Sequence, residues 1–350
     1  MKIALLTDTH FGARSDGVEF DKHFQMFYEE VFFPTLAREK ITDIMHLGDV
    51  FDKRQSVNFR TLSACRKYFF DELLKRHIEM TVIVGNHDTF YKNTNTVNSV
   101  ELLLSGYDNI TTYTDAVVHR FDKLDVLLCP WICEENAAKT ATLLEQAKGK
   151  IKVCFGHFEI GGFSMYKGMP NTDGLDPAIF SGFNLTCSGH FHHRSSAGNI
   201  TYLGSPYDVT WSDYEDPRGF HIFDTKTLEL KFIPNTHTMF RKVYWDNGTD
   251  VPAAQLTGKC VKLIVVNKTP ENVKKLDDYI EKVTKSNPVD LKIIEDFSEF
   301  ESDAMDDENI ALKDTISLLS EYVDSLDTKA DKARVKTLLQ TLYVEAQHLE

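Results

Sequence analysis

Residues 2–10 read KIALLTDTH, an apolar run that ends in Asp8 and His10. A short run of this kind predicts a buried strand, and the polar residues that follow it then lie at the strand's carboxyl end. In α/β proteins, ligands bind outside the carboxyl ends of the strands. The stretch therefore predicts an α/β fold with a polar site at one edge of its sheet.

Four further predicted strands end in polar clusters of the same kind. In chain order these are Gly48-Asp49 with Asp52 three residues later, Gly85-Asn86-His87-Asp88, Gly156-His157, and Gly189-His190-Phe191-His192. Residues two apart on an extended segment point the same way, so Asp-x-His and His-x-His can each bind one metal. Carboxylate, imidazole and amide groups suit manganese, iron or zinc. A lone motif is more often a surface or core feature, and it is the ordered set that indicates a metal site.

The remaining pattern predicts the layers around this site. Helices are predicted at 20–39 and 57–76, between strands, and the second half up to residue 236 consists mainly of strands. This order favours an α/β sandwich with helices on the outside. Residues 237–294 predict a small β-α-β cap domain, and the glycines beside the polar clusters are expected to allow close backbone approach.

The C-terminal residues have a different character. Residues 295–308 carry eight acids and no base, which is typical of a solvated linker. Residues 309–350 predict two amphipathic helices, which either fold back on the body or dock onto a partner.

Composition excludes few functions. The net charge is −14, but residues 295–350 contribute −10 and residues 1–294 only −4. The charge therefore does not exclude DNA binding, and no basic footprint favours it.

Six cysteines do not form a disulfide framework, although the spacing of Cys129 and Cys133 resembles that of one half of a zinc site. No apolar run is long enough to span a membrane, and the first residues lack the long apolar core of a signal peptide. We expect a cytoplasmic protein.

The ordered set D-x-H … G-D-x-x-D … G-N-H-D … G-H … G-H-x-H resembles the calcineurin-like metallophosphoesterase superfamily, over roughly residues 1–235. The resemblance implies a two-sheet sandwich that holds two divalent metals, with manganese preferred and magnesium, iron or zinc as alternatives. One metal would be held by Asp8, His10, Asp49 and His192. The other would be held by Asn86, His157, His190 and the same Asp49, which would bridge the two.

Two metals about 3.5–4 Å apart imply that a bridging hydroxide attacks the phosphorus of a phosphodiester. His87 follows the ligand Asn86 and is expected to stabilise or protonate the leaving group. The resemblance implies that Asp52 orients His87, although one branch of the superfamily often has histidine at that position. Asp88 is expected to accept backbone N–H groups in its turn.

Several segments resemble the DNA-repair nuclease branch, which includes phage recombination endonuclease subunits. They are GDVFDKR (48–54), GNHD (85–88), PWICEEN (130–136), GHFEIGGF (156–163), YLGSPY (202–207) and EDPRGFHIFD (215–224). The branch implies an exonuclease on duplex ends and an endonuclease on single strands. It also implies a homodimer, and an SMC-like coiled-coil ATPase bound through residues 305–350. A phage-encoded protein of this kind would work in the cytoplasm of the bacterial host.

Candidate phosphate-backbone contacts are the cations near the motifs, namely Arg14, Lys53, Arg54, Lys92 and Arg194. Each is also explained as an ordinary solvated charge. The Phe-rich segment 20–33 is either a dimer surface or core. Two alternatives stay open for the whole chain: a small-molecule or cyclic-nucleotide phosphodiesterase of the same fold, and a non-catalytic scaffold for the ATPase.

Overall fold

The computed structural model describes residues 1–166, 169–246 and 251–295, together with Lys332. The chain divides into two compact units. The first consists of Met1–Arg241, Leu256–Cys260 and Asn287–Val289, and the second of Lys242–Gln255, Val261–Ser286 and the described part of Asp290–Glu350. The predicted acidic linker beyond Glu295 and the predicted helices of 309–350, apart from Lys332, lie outside the described residues. The predicted domain boundaries stay a prediction.

The strands of the described residues are mostly short. They are β1 Lys2–Leu6, β2 Asp43–His46, β3 Glu79–Ile83, β4 Ile110–Tyr113, β5 Val117–Phe121, β6 Leu124–Cys129, β7 Val153–His157, β8 Ser164–Tyr166, β9 Met169–Pro170, β10 Leu185–Gly189, β11 Ser195–Ala197, β12 Ile200–Tyr202, β13 Gly219–Asp224, β14 Leu230–Pro234, β15 Phe240–Trp245, β16 Cys260–Val265 and β17 Asp290–Ile294.

The helices lie mainly between the strands of the first half. They are α1 Ala13–Asp16, α2 Val18–Met26, α3 Phe33–Glu39, α4 Phe59–Cys65, α5 Asp71–Lys75, α6 Ser99–Leu104, α7 Ala137–Ala147 and α8 Val273–Lys285. π-helical segments, Phe27–Phe32 and Arg66–Phe70, join α2 to α3 and α4 to α5. Short 3-10 turns occur at Pro177–Phe180, Trp211–Asp213 and Ala253–Leu256. Among the described residues, no helix is both long enough and apolar enough to cross a membrane.

Two six-stranded sheets form the first unit, counted over the part of the chain that the structure describes. One has the order β14-β13-β1-β2-β3-β4 and the other β11-β12-β10-β7-β6-β5. The strands β1 to β4 are parallel, and so are β6, β7, β10 and β12. A third sheet, β15-β16-β17, adds one strand to the predicted β-α-β cap.

Alternate residues of β1 separate two layers of the core. Ile3 and Leu5 pack with Phe155 of the second sheet, in a cluster that lies between the two sheets. Ala4 and Leu6 point the other way, into a cluster with the helices. The second sheet has its own outer cluster, which includes residues of α7. The predicted α/β sandwich with helices outside is therefore confirmed.

The aromatic side chains of the Phe-rich segment 20–33 belong to the core. Phe20, Phe24, Phe27 and Phe32 are each at most 6% exposed. Their rings contact one another and those of neighbouring segments, including Phe220 of β13. The apolar face of this helix packs on the first sheet, so its aromatic rings are not available to a partner.

All six cysteines are free and buried. In the described ranges, no candidate metal group contains a cysteine. The spacing of Cys129 and Cys133 therefore has a structural explanation: both lie in the interior near β6.

Candidate metal centre

The polar clusters lie where the sequence predicts them, in the loops just after buried strands or on their last residues. The first sheet contributes Asp8 and His10 after β1, Asp49 after β2 and Asn86 after β3, and the second contributes His157 at the end of β7 and His190 and His192 after β10. The site is therefore assembled from both sheets.

One group of side chains combines the first and last motifs. Nε2 of His10 and Nε2 of His192 are 2.9 Å apart. Each of these nitrogens is 3.9 Å from Oδ1 of Asp8. His10 and His192 are 182 residues apart in the sequence, yet their nitrogens lie in one cluster with an oxygen of Asp8.

A second group surrounds Asn86. Its Oδ1 lies 2.9 Å from Nε2 of His157 and 2.9 Å from Nδ1 of His190. Oδ2 of Asp49 lies 3.3 Å from Nε2 of His157 and 3.7 Å from Nε2 of His10. Asp49 therefore stands between the two groups, where a bridging carboxylate is expected.

The donor set fits divalent metals, which the fold implies. Burial lowers the pKa of His10 to about 4 and that of His190 to about 3, so both rings are neutral and carry the lone pair that a metal needs. The paired nitrogens of His10 and His192 face each other with at most one proton to share. A cation between them would remove this conflict.

His157 is oriented by the backbone. Its Nδ1 lies 2.7 Å from the carbonyl oxygen of Leu47, which can only accept, so Nδ1 carries a proton and Nε2 faces the centre. Burial opposes charging of this ring, but the carboxylate of Asp49 raises the pKa of His157 to about 9. A divalent cation at the centre would take the place of that second proton.

Backbone strain is concentrated at the same residues. Asp8, His10, Asp49 and His190 have φ of 50°, 40°, 56° and 84°, in the left-handed region that side chains other than glycine rarely adopt. Such conformations cost about 1–3 kcal/mol each and persist where the surrounding structure enforces them. The sequence motifs alone do not predict these left-handed backbone conformations.

The glycines permit close approach, as expected. Gly48 has φ of 92°, and a Cβ on it would lie 2.8 Å from both Cα of Gly85 and Nδ1 of His157. A Cβ on Gly85 would collide with the Asp49 carboxylate. The loops that carry Asp49 and Asn86 can therefore touch only because both positions lack a side chain.

Asp88 ties these two loops together. Its carboxylate accepts N–H bonds from Asp49 at 2.8 Å, Val50 at 2.9 Å and Gly85 at 2.9 Å. The predicted role of Asp88 as an acceptor of backbone N–H groups is confirmed.

His87 and Asp52 are neighbours, but their contact differs from the one implied by the resemblance. Nδ1 of His87 lies 2.5 Å from the backbone carbonyl of Asp52. The Asp52 carboxylate instead lies 3.6 Å from Nδ1 of His10, an atom that has no hydrogen-bond partner. The turn after Asp49 points the carbonyl at His87 and the side chain at His10.

Two of the predicted DNA contacts lie on the segments next to His87. Nη1 of Arg54 donates to Oγ1 of Thr89 at 3.4 Å, and that hydroxyl donates to the carbonyl of Asn86 at 3.1 Å. Lys92 is exposed.

The other three predicted cations are exposed, and each of them contacts the protein. Lys53 forms an ion pair with Asp16 at 3.2 Å. The guanidinium of Arg194 lies over the ring of Phe232 at 4.3 Å. The guanidinium of Arg14 lies over the ring of Phe20 at 5.7 Å. Their role in binding DNA stays a prediction.

Two residues at the centre were not singled out from the sequence. The ring of Trp131 lies 5.2 Å from that of His190 and 6.1 Å from that of His157. Arg218 donates from Nη1 to the carbonyl of His192. Both occur in segments that carry the family resemblance, PWICEEN and EDPRGFHIFD, so the signal was present but was not assigned to a residue.

Arg218 is buried in a network of its own. Its Nη2 lies 2.6 Å from Oδ1 of Asp213 and 2.9 Å from Oδ2 of Asp216, and its Nη1 donates to Oγ of Ser205 at 3.0 Å. The network fixes the loop that carries His192.

Comparison with known proteins gives a consistent result. A sequence model described as calcineurin-like phosphoesterase matches residues 1–194. The chain is 34% identical over 349 residues to exonuclease subunit 1 of Enterobacteria phage T4, covering 99% of each protein. Among solved structures, it is similar to an archaeal phosphodiesterase (14% identity, 67% of this chain and 100% of that chain, TM-score 0.34). Another is a dimetal phosphatase from Danio rerio (11% identity, 63% and 91%, TM-score 0.42). These structural scores are too low to support an argument.

Proposed function

The chain belongs to the calcineurin-like phosphoesterase family, and on that basis we propose that it is the metal-dependent nuclease subunit of a DNA recombination or repair complex. The observation that carries the proposal is the convergence of His and Asp side chains from five strand ends. Within each group of three, the ligand atoms lie within 4.8 Å of one another. The full-length similarity to a protein named an exonuclease subunit supports the choice of substrate.

The proposed ligands divide into two sets that share Asp49. Asp8, His10 and His192 complete the first set, and Asn86, His157 and His190 complete the second. We propose manganese as the metal because the resemblance to the nuclease branch implies it; mixed nitrogen and oxygen donors also accept magnesium, iron or zinc. Two divalent cations held in this way would lower the pKa of a water molecule and neutralise the oxygens of a phosphodiester.

His87 is proposed to act on the leaving oxygen. A carbonyl can only accept, so the short contact with Asp52 places a proton on Nδ1 of His87. The neutral ring then presents the lone pair of Nε2, and the protonated ring presents an N–H that can be donated to the departing oxygen. In this arrangement Asp52 is a positioning residue that acts through its backbone carbonyl.

The proposed activities are exonuclease on duplex ends and endonuclease on single strands. Backbone contacts would come from the cations around the centre, Arg54 and Lys92 foremost, because they flank the segment that carries His87. Residues 1–294 carry a net charge of only −4, so a partner would supply part of the grip on DNA.

The proposed partner is an SMC-like coiled-coil ATPase that binds residues 305–350. The word subunit in the name of the phage relative supports a complex, and the amphipathic pattern of the tail supports docking. A homodimer is also proposed. The aromatic side chains of the Phe-rich segment are buried, so the interface would use other side chains. A phage-encoded nuclease of this type would work in the cytoplasm of its bacterial host.

The test is a substrate comparison on the full chain with Mn²⁺. We expect cleavage of duplex ends and of single-stranded DNA, and loss of cleavage when EDTA removes the metal. An aryl phosphodiester and a cyclic nucleotide serve as the alternative substrates. Cleavage of the cyclic nucleotide without cleavage of DNA would contradict the nuclease proposal and indicate a small-molecule phosphodiesterase. No hydrolysis of any of these substrates would indicate a non-catalytic scaffold.

A further inference from the structure

Two aromatic side chains next to the metal centre are exposed to solvent. Phe90 is 38% exposed and Tyr91 is 52% exposed, and their ring centroids are 4.8 Å apart in an edge-to-face arrangement. Val97, on the returning part of the same loop, is 40% exposed. Scattered apolar residues on a surface are ordinary, but a cluster of large ones marks an interaction site. We call residues 89–98 the aromatic loop.

The aromatic loop is held firmly although its rings are exposed. The N–H of Phe90 donates to the carbonyl of Val97 at 2.9 Å, and a β-bridge pairs Thr89 with Asn98. Nδ2 of Asn95 donates to the carbonyl of Trp131 at 2.9 Å. A fixed backbone presents the two rings at little cost in conformational entropy, which favours a contact that is formed in advance.

The same anchors connect the loop to the catalytic residues. Thr89 donates to the carbonyl of the proposed ligand Asn86, and the indole of Trp131, whose carbonyl holds Asn95, lies 5.2 Å from His190. From Asn86 to Phe90 the chain advances four residues, which span at most roughly 14 Å. Four nucleotides of a duplex strand span about the same length, at about 3.4 Å each, so the loop begins within a few nucleotides' length of the proposed ligand Asn86.

The charges beside the rings suit a nucleic acid strand. Lys92 follows Tyr91 directly and is exposed, and Arg54 donates to Thr89 at the base of the loop. Alternation of cations with exposed aromatic rings is the arrangement by which proteins hold single strands, with phosphates on the cations and bases stacked on the rings.

We propose that Phe90 and Tyr91 stack against nucleobases next to the phosphodiester that is cleaved, and so hold the end of a DNA strand in an unpaired form at the metal centre. The inference rests on the proposed nuclease function and adds the element that recognises the base. Every base has an aromatic face, so such a contact binds without preference for sequence.

The test compares the double variant F90A/Y91A with the parent protein. Binding is measured to a short fluorescent single-stranded oligonucleotide, with Ca²⁺ in place of Mn²⁺ to slow cleavage. Loss of base stacking predicts affinity that is roughly 5- to 100-fold weaker. The manganese content of the purified variant should be unchanged, which also shows that the variant is folded. Leu74→Ala is the matched control, because Leu74 is 46% exposed on α5, which precedes β3 and so lies near the opposite end of that strand.

An oligonucleotide with abasic sites near its end separates stacking from other causes. The parent protein should bind it more weakly than the intact strand, whereas F90A/Y91A should bind both equally, since the rings and the bases form one interaction. Equal affinity of parent and variant for the intact strand would overturn the proposal while leaving the nuclease function in place. If the parent protein hydrolyses the aryl phosphodiester but neither binds nor cuts DNA, the proposed nuclease function is wrong. The stacking proposal is then wrong as well, because it rests on that function.

Discussion

Asn86 connects the two histidines of the second ligand set. Its amide oxygen is 2.9 Å from Nε2 of His157 and 2.9 Å from Nδ1 of His190. Asn86→Ala should reduce the manganese content of the purified protein from about two ions to about one. Phosphodiester hydrolysis should fall at least about 100-fold, since even residues that only support ligands cost 10–100-fold.

Metal content by mass spectrometry and the rate on an aryl phosphodiester measure this effect. Asn58→Ala is the control, because Asn58 caps α4 through the N–H of Arg60 and lies on the surface. The control should lose about 1 kcal/mol of stability and no metal. Two ions per chain in Asn86→Ala would remove this residue from the ligand set.

Arg218 is expected to stabilise the fold because its ion pairs are buried. Its guanidinium, with a side chain 5% exposed, neutralises two buried carboxylates, those of Asp213 and Asp216. Arg218→Met would remove the guanidinium from both carboxylates, although Asp216 would keep its contact with Nδ1 of His193, at 2.9 Å. We expect the free energy of unfolding to fall by about 3–5 kcal/mol.

Urea denaturation of the variant measures this loss. Arg120→Met breaks an exposed pair with Asp125, whose side chains are 65% and 52% exposed, and should cost less than about 1 kcal/mol. Similar losses for both variants would show that the buried network around Arg218 has no special importance for stability.

At the scale of elements, the Phe-rich helix shows what a periodic pattern can predict. The spacing of Phe20, Phe24 and Phe27 predicts a helix with one apolar face, and the structure has that helix with the face buried. The pattern alone does not distinguish a face that packs on the protein's own sheet from one that binds a second copy. Only the position of β13, with Phe220 against Phe27 and Phe32, resolves this.

Phe27 and Phe59 both lie in helical segments, but their side chains differ in exposure. Phe27 is 0% exposed and Phe59 is 88% exposed. Phe27→Ala should lower the free energy of unfolding by about 3–5 kcal/mol through lost burial and the cavity that remains. Phe59→Ala should change it by less than about 0.5 kcal/mol.

Chemical denaturation of the two variants provides the comparison. A large loss at Phe59 would mean that this side chain is covered, and its dependence on protein concentration would then show whether a second copy covers it.

At the scale of the whole molecule, the catalytic unit and the tail should be separable. The proposed ligands all lie in the unit that contains Met1–Arg241, whereas the proposed docking segment is 305–350. A chain that lacks residues 305–350 should hydrolyse an aryl phosphodiester at the parent rate, because no ligand is removed.

The same truncated chain should no longer co-purify with a coiled-coil ATPase that carries a nucleotide-binding motif. The control is the full-length chain with Leu74→Ala, which alters an exposed apolar residue of the catalytic unit. Equal recovery of the ATPase with and without the tail would place the docking surface elsewhere.

Much of the site could be predicted from the chain alone, since strands and their ends are local features. Period and apolar runs locate β1, β2, β3, β7 and β10 to within a few residues, and a general rule places ligands beyond their carboxyl ends. Strands such as β4 and β5 cannot be located in this way, because they are short and half-exposed and show no such run.

The geometry of the centre depends on contacts that local patterns do not encode. Asn86 meets His157 and His190 only because the two sheets pack face to face, and the separations along the chain are 71 and 104 residues. The left-handed φ of four proposed ligands and the turn of the Asp52 carboxylate toward His10 follow from the same packing. Residue types and strand ends are properties of short segments, whereas distances between loops of different sheets are set by the whole core.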